Sequence, residues 1–122
     1  MDEATKKLIS WLESEHSRII NFENDAIKAL DNSDNETYLK NIKKKAEALA
    51  EIYSNSENYL VNVPANIADI TRNTLSNFSG NAKMSLKINS AFFMSALLYP
   101  DEHKKGEPDN FAIFIKDLKQ EF

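Results

Sequence analysis

Glu13 and His16 stand three residues apart within a stretch of helical periodicity, the Glu-x-x-His spacing that supplies half of a two-metal carboxylate site in helical bundles. Such a site needs a second Glu-x-x-His pair and two further glutamates, because each metal ion takes several inward-facing ligands. His103 is the only other histidine, and Pro100 occupies the position three residues before it where the second glutamate belongs. Half a site does not hold a pair of metal ions, so His16 reads as a partly buried histidine on an apolar stripe with a hydrogen-bond partner. The segment 99–110 gathers Asp101, Glu102, His103, Glu107 and Asp109 between two apolar stretches. Oxygen and imidazole groups of this kind can ligate a hard cation or zinc. Their spacing matches no known metal loop, and a solvated connector closed by Pro100, Gly106 and Pro108 is the plainer reading. His16, Asp101, Glu102 and His103 form the polar site to be followed into the structure, and no metal or cofactor is expected.

Lys43, Lys44 and Lys45, with Lys40 before them, are the one basic cluster. Consecutive residues on a helix point in successive directions, and Lys43 can pair with Glu47 four residues on, so a solvated face is expected rather than a phosphate site. The eleven serines include none in a nucleophile elbow, and two glycines cannot build a phosphate-cradling loop. The absence of cysteine removes disulfides, thiolate ligands and a cysteine nucleophile together. No catalytic residue is nominated, and an enzyme is not expected.

The elements that must position these groups are helical. Leu8, Leu12, His16, Ile19, Glu23, Ala26 and Leu30 recur at spacings of three and four, which predicts a first helix over 3–30. Asp31-Asn32-Ser33-Asp34 breaks it, with Ser33 or Asp34 as the next N-cap and Ser33–Glu36 a candidate capping box. Leu39, Ile42, Ala46, Leu49 and Tyr53 predict a second helix over 34–53, or 34–61 if it continues past the polar stretch after Tyr53. A turn this short between two long amphipathic helices implies an antiparallel, coiled-coil-like hairpin. Pro64 opens a third helix over 64–79. Gly80 then either caps it or kinks one longer helix, because helical character resumes at once over 81–98. After the 99–110 loop, Phe111, Ile115, Leu118 and Phe122 repeat at four, three and four, predicting a last helix over 108–121. The expected fold is an all-α antiparallel bundle of four to five helices in one domain spanning 1–122.

Composition agrees. An apolar fraction of 42% and a charged fraction of 28% belong to a globular chain, and 122 residues suffice for one core. Residues 1–61 carry twelve carboxylates against eight basic side chains, and the second half is balanced. This acidic front half argues against a nucleic-acid partner. The longest apolar run, 91–99, is too short to span a bilayer, and the N-terminus has no signal-peptide character, so a cytoplasmic protein without a membrane partner is expected.

The segment 86–99 is apolar on more faces than a small bundle requires. Leu86, Phe92, Phe93 and Leu97, with Phe111 and Phe114, are the candidate interface. Leaving several such side chains in water costs about 1.5–3 kcal/mol each, which a second copy or a partner helix would remove. The leading expectation is a non-enzymatic bundle acting through protein–protein contact, as a homodimer or other homo-oligomer. A ligand- or metal-binding bundle using the 99–110 loop is the alternative. The hairpin over 3–53 resembles helical export chaperones in its pattern, and small acidic bundles also serve as immunity proteins, so an adaptor of either type is a third reading.

Overall fold

The computed structural model describes residues 1–121 as six α-helices: α1 (Glu3–Asp31), α2 (Asn35–Asn55), α3 (Glu57–Leu60), α4 (Ala65–Lys87), α5 (Ala91–Ala96) and α6 (Asn110–Glu121). Among the described residues there is no strand, and none of the helices is long and apolar enough to cross a membrane. Phe122, the last member of the C-terminal repeat, lies outside the described residues.

The hairpin of α1 and α2 forms as its sequence implies. Asp2 caps α1 by accepting the Thr5 N–H at 2.8 Å, and Asp34 caps α2 by accepting the Thr37 N–H at 3.1 Å. Ser33 is not the cap: it sits at φ 58° as the residue that ends α1. The Asp34 N–H reaches back to the Ala29 carbonyl and the Ser33 N–H to the Leu30 carbonyl, the paired bonds of a Schellman motif. The capping box with Glu36 is thereby excluded.

The central helix is α2, with α1 on one side and α4 on the other. Small residues bring α2 and α4 close. Ser79 of α4 donates to the Leu49 carbonyl at 2.8 Å and accepts the Tyr53 N–H at 3.0 Å, placing its hydroxyl beside the α2 backbone ladder. One core runs through the bundle: Leu8 and Leu12 of α1, Leu49 of α2, Leu60 of α3, Leu75 of α4 and Phe111 of α6 all belong to it. α3 is fastened to α1 by Trp11 stacking on Tyr59 at 4.7 Å. α6 lies on α1, and its Phe111 meets Phe78 of α4 at 5.6 Å.

Of the two readings at Gly80, the cap does not form: one helix runs through it, and the turn that ends this helix comes nine residues later, at Asn89. α4 passes through Gly80, which is exposed and has open space where a Cβ would stand. The helix ends at a second Schellman motif: the Ser90 N–H bonds the Ser85 carbonyl, the Asn89 N–H bonds the Leu86 carbonyl, and Asn89 takes φ 51°. Ser90 then caps α5 by accepting the Phe93 N–H at 3.2 Å. The stretch read as one helix over 81–98 is thus the last part of α4, a turn, and the short α5. Beyond α5, Leu98 is held at φ 76°, a conformation that costs a branched side chain about 1–2 kcal/mol. Its burial in the core offsets that cost.

α5 lies across the turn end of the α1–α2 hairpin, where Met94 enters a small pit formed by Ala26, Ile42 and Ala46. It is too short to cover that end, so Leu30 and Leu39, expected in the apolar stripes, remain exposed.

Candidate functional site

Along its open side, α4 presents Met84 and Ile88 toward α5, which faces them with Phe93 and is followed by Leu97. These side chains line a groove of about 520 Å³. Asn77, Asn81 and Asn110 give its other end hydrogen-bonding amides. The apolar walls stay wet: Met84 is 57% exposed, Ile88 50% and Phe93 53%. Phe92 is 75% exposed and meets Phe93 edge-on at 5.6 Å, extending the surface past the groove. Exposed apolar side chains gathered in one place, unlike those scattered singly over a surface, call for an explanation by what they contact.

The six residues nominated as an interface therefore divide. Phe92 and Phe93 are surface residues, and Leu86 and Leu97 are half-buried. Phe111 (0% exposed) and Phe114 are buried in the bundle and present nothing to a partner. Their spacing at one face of α6 reports core packing, which periodicity does not separate from an interface. Met84 and Ile88 belong to the groove and were legible as apolar positions on one helical face; what hid them was the expected continuation of that helix through 98.

The four residues of the polar site do not converge. His16 Nε2 lies 2.8 Å from Asp109 Oδ2, while Asp109 Oδ1 accepts the Ala112 N–H at 2.8 Å and so caps α6. Burial would raise the Asp109 carboxyl, but the bonds from His16 and the backbone outweigh it and hold the group below its ordinary value. His103 turns instead to the Glu107 carbonyl at 2.8 Å and sets its ring against Tyr99. Asp101 and Glu102 are exposed in the turn before it. Among the described residues no three His, Asp or Glu side chains are grouped so as to hold a metal ion.

A polar cluster that was not anticipated lies behind the groove. Lys45, expected on a solvated face with Lys43 and Lys44, is 1% exposed. Its Nζ stands 3.0 Å from Glu23 Oε1, donates to the Ser95 carbonyl at 2.9 Å, and lies 5.0 Å from the centre of the Tyr99 ring. The Tyr99 hydroxyl donates to the other Glu23 oxygen. Burial pushes the Lys45 ammonium below the ordinary lysine range, while the Glu23 charge pulls it partly back. Burial and the same carboxylate raise the Tyr99 phenol. The cluster ties α1, α2, the end of α5 and the start of the 99–110 loop together. A signal for it was present: Glu23 and Lys45 each occupy a core position of an otherwise apolar stripe, and two opposite charges so placed can satisfy one another.

No family model matches the chain, and no curated protein or solved structure is detectably similar to it.

Proposed function

We propose that this protein is a non-enzymatic binding bundle whose α4–α5 groove receives an apolar segment of another protein chain. The observation that carries the reading is the groove itself, an opening of about 520 Å³ whose Met84, Ile88 and Phe93 walls are each about half exposed. Helices meeting at such a groove accept the apolar face of a third helix, with anchors spaced three or four residues apart. An adaptor or chaperone-like role is of this kind. A photoreactive residue at Phe93, compared with one at exposed Lys6 on α1, tests the reading in the native host. Adducts to one defined protein from position 93, lost when Ile88→Asp is added, are expected. Equal labelling from both positions, or adducts indifferent to Ile88→Asp, would sink it.

Self-association is the second reading, favoured by Phe92, which projects beside the groove that a second copy would offer it. Light scattering decides this: a dimer that Phe92→Asp converts to monomer supports it, and a monomer at high concentration removes it. The reading in which the 99–110 loop binds a ligand draws its support from Tyr99 and Asn110, which border the same groove.

A further inference from the structure

Ile88, Asn89 and Ser90 separate α4 from α5, and Ile88 still has helical φ and ψ, so two residues make the break. Asn89 is the sharper of them, at φ 51°, a left-handed conformation that strains any residue but glycine, asparagine less than most. The bend gains no backbone bonding over a straight helix. Here the Ser90 N–H bonds the Ser85 carbonyl and the Asn89 N–H bonds the Leu86 carbonyl; in an unbroken helix the same two donors would exchange these two acceptors. The apolar stripe carries through as well. At 3.6 residues per turn, Phe93 and Leu97 would fall within about 40° of Leu75, on the face that Ser79, Ala82 and Leu86 continue. Residues 65–96 thus suit one long helix as well as the bent pair.

We propose that two copies of the chain exchange α5 and α6 by straightening at Asn89 and Ser90, so that each arm packs on the α1–α2–α4 core of the other copy. Short, strained hinges invite such exchange, because the arm regains its own contacts in the second copy. Met94 of one copy would fill the pit of Ala26, Ile42 and Ala46 in the other, and Phe111 would enter the other core. Each groove would then join Met84 and Ile88 of one copy to Phe93 and Leu97 of the other. New contact arises where the two straightened hinges pass each other. The apolar side chains nearest them, Met84, Ile88 and Phe92, are exposed in the single chain and would gain from burial there. The other left-handed turn, at Ser33, is a poorer hinge, because Asp31-Asn32-Ser33-Asp34 carries no apolar stripe across it. The groove is complete in both forms, so the exchange does not depend on the groove reading.

The test is the oligomeric state of the full chain after refolding from urea at low and at high concentration, read by size-exclusion chromatography with light scattering. A dimer that grows with concentration is expected. Position 89 is exposed, and two substitutions there push in opposite directions. Asn89→Ala favours the helix and disfavours positive φ. It should lower the dimer dissociation constant by roughly tenfold, since two hinges relax per dimer, and Asn89→Gly should raise it by a similar factor. Connectivity is read by adding Glu13→Cys and Lys119→Cys to this cysteine-free chain, at positions whose native side chains meet at 2.8 Å and are half exposed. A short bis-maleimide should join two chains in the dimer and bridge a single chain in the monomer, as denaturing gels will separate. A monomer at every concentration, in the wild type and in Asn89→Ala alike, would overturn the proposal, and it falls equally if Asn89→Ala only lowers stability in urea titrations. A dimer indifferent to position 89, with its bridges inside each chain and dissociated by Phe92→Asp, would also overturn it and assign the contact to surface self-association.

Discussion

Lys45 and Glu23 depend on each other in a way that their separate substitution should expose. With Lys45 at 1% exposure, removing the Glu23 charge leaves an ammonium whose remaining partners are the Ser95 carbonyl and the Tyr99 ring. Breaking a buried pair from one side costs about 3–5 kcal/mol, whereas replacing both charges by groups of similar shape is often neutral. Glu23→Gln should therefore destabilise strongly in urea titrations, and adding Lys45→Met should recover most of the loss. Strictly additive losses would show that the two groups do not act as a pair. Asp109 gives a second residue-level prediction, in pH. Its folded carboxyl lies below the ordinary value of 3.8, so its contribution is complete above that value and is lost as pH falls through the folded value beneath it. Asp109→Asn should cost about 1.5–3 kcal/mol near neutral pH, the worth of hydrogen bonds to a charged group. The deficit against the wild type should close as acid is added, and a deficit that is constant with pH would contradict the assignment.

At the scale of the elements, what the sequence disclosed and what it concealed both trace to punctuation. Paired apolar stripes with a polar turn at 31–34 are sufficient to specify the α1–α2 hairpin, because burying both stripes leaves few other arrangements. Gly80 was misleading for a physical reason. Glycine is the commonest residue past a helix end, yet both Schellman turns here use Ser33 and Asn89. Asn89-Ser90 was the readable signal for the end of α4, an amide tolerant of positive φ followed by a good N-cap. Since Gly80 lies within α4 with open space around its Cα, Gly80→Ala should stabilise by about 0.5–1 kcal/mol through helix propensity and unfolded-state entropy. In thermal melts that is a rise of about 2–5 °C. Gly106 stands at φ 91°, so the same exchange there should lower the midpoint. A rise at Gly106 or a fall at Gly80 would reverse this account of the two glycines.

For the molecule as a whole, the groove and the buried ion pair are one mechanical unit. The α4 wall is part of the central α1–α2–α4 packing, whereas the α5 wall is six residues long. It is held by Met94 in its pit, by the Lys45 bond to the Ser95 carbonyl, and through Tyr99 by Glu23. Ser95 carries one of the carbonyls left without a helical partner at the end of α5, so Lys45 supplies a bond the short helix cannot make for itself. The groove residues are visible in the sequence as apolar positions, and Glu23 and Lys45 as charges at core positions, but no periodicity links those two to each other or to Ser95. Local opening of such a segment should require less free energy than unfolding of the three long helices. Lys45→Met combined with Glu23→Gln removes the bond to Ser95 without leaving the Glu23 carboxylate buried and unpaired, and keeps an unbranched apolar stem at position 45. Amide exchange over 91–98 should then accelerate by roughly tenfold, the effect of about 1.4 kcal/mol, while the α2 and α4 amides slow to exchange only by global unfolding change far less than this. A groove occupant should restore protection over 91–98, since it binds the closed wall and not the open one. If exchange over 91–98 and in α2 rises by the same factor, α5 is part of the global unit and the groove has no hinged wall.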